Sequence, residues 1–168
     1  MTGRGGNIIL IGMPGAGKST LGVLLAKALG MEFVDTDLLI QRRQGQKLQE
    51  ILDREGMETF LRVEEETILS LRVRDSVVAT GGSVVYSPRA MAALGSTGTL
   101  VYLQVPAAEL KRRLTNITTR GVAMRPGCTL EDVLAERLPL YRQYGQVTVD
   151  CAGRDPESCV AELAARLG

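Results

Sequence analysis

The segment that most restricts how this chain can fold is Gly12-Met13-Pro14-Gly15-Ala16-Gly17-Lys18-Ser19. It fits the pattern G-x-x-x-x-G-K-[ST], whose glycines let the backbone curl until successive N–H groups face one anion. Such a loop works between a buried strand and a helix, whose N-terminus adds the positive end of its dipole. Both neighbours are present. Asn7 to Gly12 (NIILIG) is a continuous apolar run, as a strand covered on both faces requires. Ser19 to Leu29 places Leu21, Leu24, Leu25 and Ala28 on one helical face, and Gly30 supplies the stop. The pattern implies a nucleotide phosphate site, with ATP and Mg²⁺ as the expected ligands. Lys18 can reach the β- and γ-phosphates and the Ser19 hydroxyl can ligate Mg²⁺, while Gly12, Gly15, Ala16, Gly17 and Thr20 complete the cradle.

The rest of the chain continues the alternation. Glu32 to Val34 reads as a short strand running into Asp35, followed by strands at Val77 to Ala79, Thr99 to Val105 and Gln146 to Val149. Asp37 to Arg74 reads as mostly helical, broken near Gly45 and Gly56, and helices Ala107 to Leu114, Leu130 to Tyr144 and Pro156 to Leu167 fill the remainder. This predicts an α/β fold: a parallel sheet of five strands with helices on both faces, in one domain spanning 1–168. Residues 115–129 have no clear period and contain Gly121, Pro126 and Gly127, so a lid is expected there.

Composition excludes several function classes. A net charge of +1 gives no general electrostatic grip on nucleic acid or anionic lipid. Aromatic residues at 4% provide no stacking platform for single-stranded bases. Apolar runs are too short to span a membrane, and the N-terminal MTGRGGN has no signal-peptide character, so a cytoplasmic protein is expected, and a monomer. Cys128, Cys151 and Cys159 lack C-x-x-C spacing and read as reduced thiols. There is no histidine, so any general base must be a carboxylate, a lysine or a water.

Asp35-Thr36-Asp37 falls where the second strand should end. The carboxyl ends of parallel strands line the ligand crevice, so both carboxylates should face the phosphates. One can hold Mg²⁺ through water and the other can orient and deprotonate an acceptor hydroxyl. Taken alone, the pair could instead be a solvated turn, with Asp37 capping the next helix.

With GMPGAGKST at 12–20, DTD at 35–37, ATGGS at 79–83, ERLPLY at 136–141 and RDP at 154–156, the sequence resembles the shikimate kinases over nearly its whole length. The resemblance implies a three-layer α/β/α fold of the P-loop class, similar to nucleoside monophosphate kinases. It implies a five-stranded parallel sheet, a lid at about 115–129 and a substrate-binding helical region at about 37–74. It also implies ATP-dependent phosphorylation of shikimate, a precursor of aromatic amino acids. By position, Asp35 would hold Mg²⁺ through water, and Asp37 would bind the acceptor hydroxyl and act as base. Gly81 and Gly82 would meet the acceptor through backbone, Arg137 would clamp its carboxylate, Arg120 would face the γ-phosphate, and Arg113 and Arg154 would flank adenine. The chemistry agrees: a small acid needs a fixed guanidinium fork, and transfer needs positive charge over the γ-phosphate, from Arg120 or Arg125.

Three positions depart from the family pattern. Where F-R-x-x-E is usual, Phe60 is followed by Leu61, and Arg62 comes one place later, about 100° further round a helix. Arg62 therefore does not simply replace the lost group; it stays a candidate acceptor ligand, with a surface i,i+4 pairing to Glu66 as the favoured role. The triple glycine is Gly81-Gly82-Ser83, and Arg120 is followed by Gly121-Val122-Ala123 rather than Pro-Leu-Leu. These departures bear on acceptor binding and lid closure, not on the ATP machinery. Shikimate is the favoured acceptor, with another small hydroxylated carboxylic acid as the alternative. An ATP-binding regulator without transfer is a further alternative. Asp53-Arg54-Glu55-Gly56 matches the D-x-x-G of nucleotide switches, but it lies in a helical stretch and no N-K-x-D motif accompanies it.

Overall fold

The computed structural model describes residues 6–115 and 122–168. Five strands, β1 (Asn7–Ile11), β2 (Glu32–Asp35), β3 (Ser76–Ala79), β4 (Gly98–Gln104) and β5 (Val147–Asp150), form one sheet. All neighbours are parallel, in the order β2-β3-β1-β4-β5. The helices are α1 (Lys18–Leu29), α2 (Thr36–Gln44), α3 (Leu48–Leu69), α4 (Pro88–Gly95), α5 (Ala107–Thr115), α6 (Leu130–Tyr144) and α7 (Pro156–Leu167).

All five residues of β1 are buried, which is why that strand carries no polar alternation. Its one polar residue is satisfied: Asn7 donates to the Val73 carbonyl at 3.0 Å and accepts from the Ser76 amide at 3.1 Å, tying β1 to the approach of β3. The main core fills both faces of the sheet, and a second, smaller cluster lies between α2 and α3 around Ile40, Ile51, Phe60 and Val63.

The expected breaks near Gly45 and Gly56 are present. Gly45 ends α2 in a left-handed conformation (φ 66°), and Gly56 (φ 83°, ψ 172°) kinks α3. The structure adds a 3₁₀ turn at Val84–Tyr86 followed by α4, which no sequence pattern predicts. Its apolar run has no polar face to reveal a period, yet its start was marked. Ser87 accepts from the Ala90 amide at 3.0 Å, and Pro88 occupies the first helical turn.

The register aligns the ends of three strands. Leu10 and Asp35 both pair with Ala79. The loops after β1, β2 and β3 therefore leave the sheet side by side, at the switch point where the strand order reverses.

Candidate active site

The loop after β1 has the geometry a phosphate cradle needs. Gly15 (φ 84°) and Gly17 (φ 93°) take left-handed conformations, and Gly17 is the residue from which α1 starts. Lys18 is buried beneath this loop, with Nζ donating to the carbonyls of Gly12 at 2.6 Å and Met13 at 2.8 Å. Its ammonium is thus held inside the loop rather than spread into solvent.

At the end of β2, Asp35 has two jobs. Its Oδ1 accepts from the amides of Asp37 (2.9 Å) and Leu38 (3.3 Å), capping α2, while its Oδ2 accepts from the Ser19 hydroxyl at 2.9 Å. Asp35, not Asp37, is therefore the cap of the next helix, which corrects the turn-and-cap alternative. Capping turns the Asp37 side chain into the crevice, where it lines a cavity of about 490 Å³. Ser19 and Asp35 present hard oxygen donors side by side, the donor chemistry Mg²⁺ prefers. Among the described residues no cluster of three or more His, Cys, Asp or Glu could cage a metal, so the fit is to an ion that keeps water and phosphate ligands.

The same cavity is lined by Lys18, Ser19, Asp35, Gly81, Gly82, Glu64 and Arg137. Arg137 is 1% exposed, although guanidinium groups are rarely buried unless paired. Its Nε donates to the Tyr86 hydroxyl at 3.2 Å and its Nη2 to the Ala123 carbonyl at 2.5 Å, and its Cζ lies 5.1 Å from the Tyr86 ring centre. Nη1 has no partner among the described residues, and no carboxylate pairs with Arg137 there. Gly82 lies close against it: a Cβ at Gly82 would fall 3.0 Å from Nη1 and 2.6 Å from Cδ of Pro14. Tyr141 fixes this wall, donating to the Gly82 carbonyl at 2.6 Å while its ring stacks on Tyr102.

A second cavity adjoins the phosphate loop on its other side, lined by Gly15, Ala16, Gly17, Thr20, Arg113 and Arg154, among others. Arg113 donates to the Gly15 carbonyl at 3.0 Å and pairs with Glu109 at 2.7 Å. Arg154 pairs with Glu162 at 2.6 Å. The two arginines expected to flank a base are thus brought to one opening. Cys151 and Cys159 also border it, and all three cysteines are free.

Arg62 does not line the cavity of Asp37 and Arg137. It lies exposed on α3, as its surface alternative requires, although no ion pair links it to Glu66 among the described residues. The cause is the rotation of one helix position, which carries it past the buried stripe of Phe60, Val63, Glu64 and Thr67. Leu61 packs against the small cluster between α2 and α3. Asp53 to Gly56 also lie on α3 rather than after a strand, so the D-x-x-G match has no switch context. Arg120 and Gly121 lie outside the described residues, and Arg125 is exposed.

Sequence reasoning missed Glu64, Tyr86 and Ala123. Glu64 is 2% exposed and accepts a 2.7 Å hydrogen bond from Ser83. Burial, with Asp37 adding a smaller repulsive contribution, pushes its carboxyl up to about 8. The signal was available in the motif: Glu64 stands at the glutamate of the F-R-x-x-E pattern, four residues after Phe60 on an apolar helical stripe. Tyr86 and Ala123 act through a hydroxyl and a backbone carbonyl, for which no residue pattern exists.

The comparisons agree with this geometry. The family model described as shikimate kinase matches residues 14–168. A shikimate kinase of Mycobacterium avium (strain 104) is 41% identical over 162 residues, 95% of this chain and 92% of that one. A shikimate kinase of Mycobacterium tuberculosis (strain ATCC 25177 / H37Ra) is 39% identical over the same length and shares. Among solved structures, the shikimate kinase from Acinetobacter baumannii in complex with shikimate superposes with a TM-score of 0.88 at 30% identity, covering 97% of this chain and 96% of that one. With the phosphate loop, the Asp35–Asp37 turn and the buried Arg137 meeting at one switch point, and a family model matched almost end to end, this chain belongs to the shikimate kinase family.

Proposed function

We propose that the chain transfers the γ-phosphate of ATP to a hydroxyl of shikimate, giving shikimate 3-phosphate. One observation carries the acceptor half: the buried Arg137 lines the cavity that Asp37 and Lys18 also line, and its Nη1 has no partner among the described residues. An orphaned buried guanidinium donor is costly until an anion meets it, so the acceptor is an acid. Asp37 in the same cavity calls for a hydroxyl on that acid.

The residues divide the work. The loop amides and Lys18 hold the phosphates and draw charge from the transferring group. Ser19 and Asp35 would hold Mg²⁺, which supplies charge neutralisation between the β- and γ-phosphates when bound. Arg137 fixes the acceptor carboxylate, with Gly81 and Gly82 letting the ring approach the backbone. Asp37 orients the hydroxyl and accepts its proton as the new O–P bond forms. Arg113 and Arg154 flank the base. Residues 115–129 serve as the lid, with Arg120 reaching the γ-phosphate, and 37–74 as the acceptor-binding region. The working form is a cytoplasmic monomer; among the described residues no helix is long and apolar enough to cross a membrane.

The test is ADP release with shikimate, gluconate, homoserine and nucleoside monophosphates as acceptors. Shikimate alone should support turnover. Turnover with another acid and none with shikimate would overturn the acceptor assignment.

A further inference from the structure

Among the described residues the cavity is lined by six ionisable side chains, the cations Lys18, Lys47 and Arg137 and the acids Asp35, Asp37 and Glu64. With every one charged, these six cancel. Glu64 is the group that breaks this balance. It projects from α3 into the space beside Gly81, where a side chain on Gly81 would sit 2.6 Å from Glu64 Oε2 and 2.9 Å from Asp37 Oδ1. Two carboxyl oxygens thus flank one small volume. Glu64 Oε1 accepts from the Ser83 hydroxyl, and Glu64 Oε2 has no partner among the described residues.

A buried carboxylate in that position would leave one charged oxygen unsatisfied and face Asp37 at close range, both of which are costly. A protonated carboxyl removes the buried charge and the repulsion from Asp37, and the hydrogen bond from Ser83 is compatible with it: Oε1 accepts as the carbonyl oxygen, which leaves the proton to Oε2. The groups that face Glu64 are Asp37 on α2, Lys18 on α1, Arg137 on α6 and the Ser83 hydroxyl. Burial outweighs the two cations. Leu61 contributes by omission, since position 61 lies three residues before Glu64 on the same helical face and offers no cation.

Resting on the acceptor reading above, we propose that Glu64 is a positioning residue that works as a neutral acid: held by Ser83, it spares a monocarboxylate acceptor one negative charge beside its site, and its ionisation expels that acceptor. The two carboxyls beside Gly81 then divide the roles of neutral positioning acid and base.

The measurement is the KM for shikimate and for ATP from about pH 6.5 to pH 9.5, in the wild type and three variants. If only the neutral form of Glu64 admits the acceptor, the wild-type shikimate KM rises about tenfold one pH unit above the Glu64 midpoint, while the ATP KM stays level. Glu64→Gln cannot ionise, so its shikimate KM loses this rise, whatever its value at neutral pH. Leu61→Arg adds a cation three residues away and moves the rise to lower pH. Ser83→Ala removes the donor that favours the ionised form and moves it higher. An unshifted rise in Glu64→Gln, or no rise in the wild type, overturns the proposal while leaving shikimate turnover intact. If shikimate turnover is itself absent, the ¹³C titration of the glutamate side chains decides separately. A carboxyl with a midpoint near 8 that vanishes in Glu64→Gln supports the neutral acid, and its absence from the wild type overturns it.

Discussion

The Ser19 hydroxyl donates to Oδ2 of Asp35 across 2.9 Å, joining the first turn of α1 to the carboxyl end of β2. Because Oδ1 of the same carboxylate caps α2, one side chain positions both the oxygens proposed to hold Mg²⁺ and the helix that carries Asp37. Asn caps helices as well as Asp does, so Asp35→Asn should keep the fold while losing the charge that attracts Mg²⁺. The expected outcome is a several-fold higher Mg²⁺ concentration for half-maximal activity, read by titration, with an unaltered denaturation midpoint. Asp35→Ala should in addition lose about 1 kcal/mol of stability, the usual worth of an N-cap.

Lys18 sits under the loop with two carbonyl partners, so truncation removes the phosphate contact and frees Gly12 and Met13 oxygens. Lys18→Ala should stay folded by circular dichroism and lose at least about 10²-fold in kcat, the scale of removing one transition-state donor. Near-normal turnover would contradict the assignment of this loop to phosphoryl transfer.

Asp37 carries the base assignment because the chain has no histidine and Asp37 lines the acceptor cavity. Asp37→Asn preserves shape without basicity, so kcat should fall by about 10²- to 10⁴-fold. ATP affinity, measured by equilibrium titration, should change little. If Asp37→Asn were inert and Asp35→Asn lethal, the two roles would have to be exchanged.

Much of this was legible in the sequence because it is encoded locally. The phosphate loop is contiguous, Gly30 and Gly45 mark helix ends, and Asp35 to Asp37 follow a strand whose parallel neighbours fix where it ends. What was not legible depends on contacts between distant segments. Arg137 donates to a carbonyl fourteen residues away and to Tyr86 on a 3₁₀ turn. Glu64 meets Ser83 across nineteen residues. Arg62 was legible in its position: one place past the arginine of the pattern on a helix, it faces solvent.

The protonation of Glu64 also has a consequence for stability. Its carboxyl rises from an ordinary value of 4.5 to about 8 on folding. Between those values the native state holds a proton that the unfolded chain has released, so its contribution is full at low pH and is lost as pH rises toward 8. The limiting slope is about 1.4 kcal/mol per pH unit. Denaturant unfolding at pH 5 and pH 8 should therefore show Glu64→Gln gaining on the wild type by up to a few kcal/mol at the higher pH. A constant difference between the two proteins would contradict a buried neutral acid.

The measurement that tests the whole assignment most directly is shikimate phosphorylation by the wild type and by Arg137→Ala, with ADP release coupled to mass analysis of the product. Losing one charge-assisted pair costs about 1.5–3 kcal/mol, so Arg137→Ala should raise the shikimate KM by roughly 10- to 150-fold. The ATP KM should stay nearly level, and the wild-type product should gain one phosphate. Absence of phosphorylated shikimate from the wild type, with ATP bound normally, would contradict the assignment of this chain as a shikimate-phosphorylating enzyme.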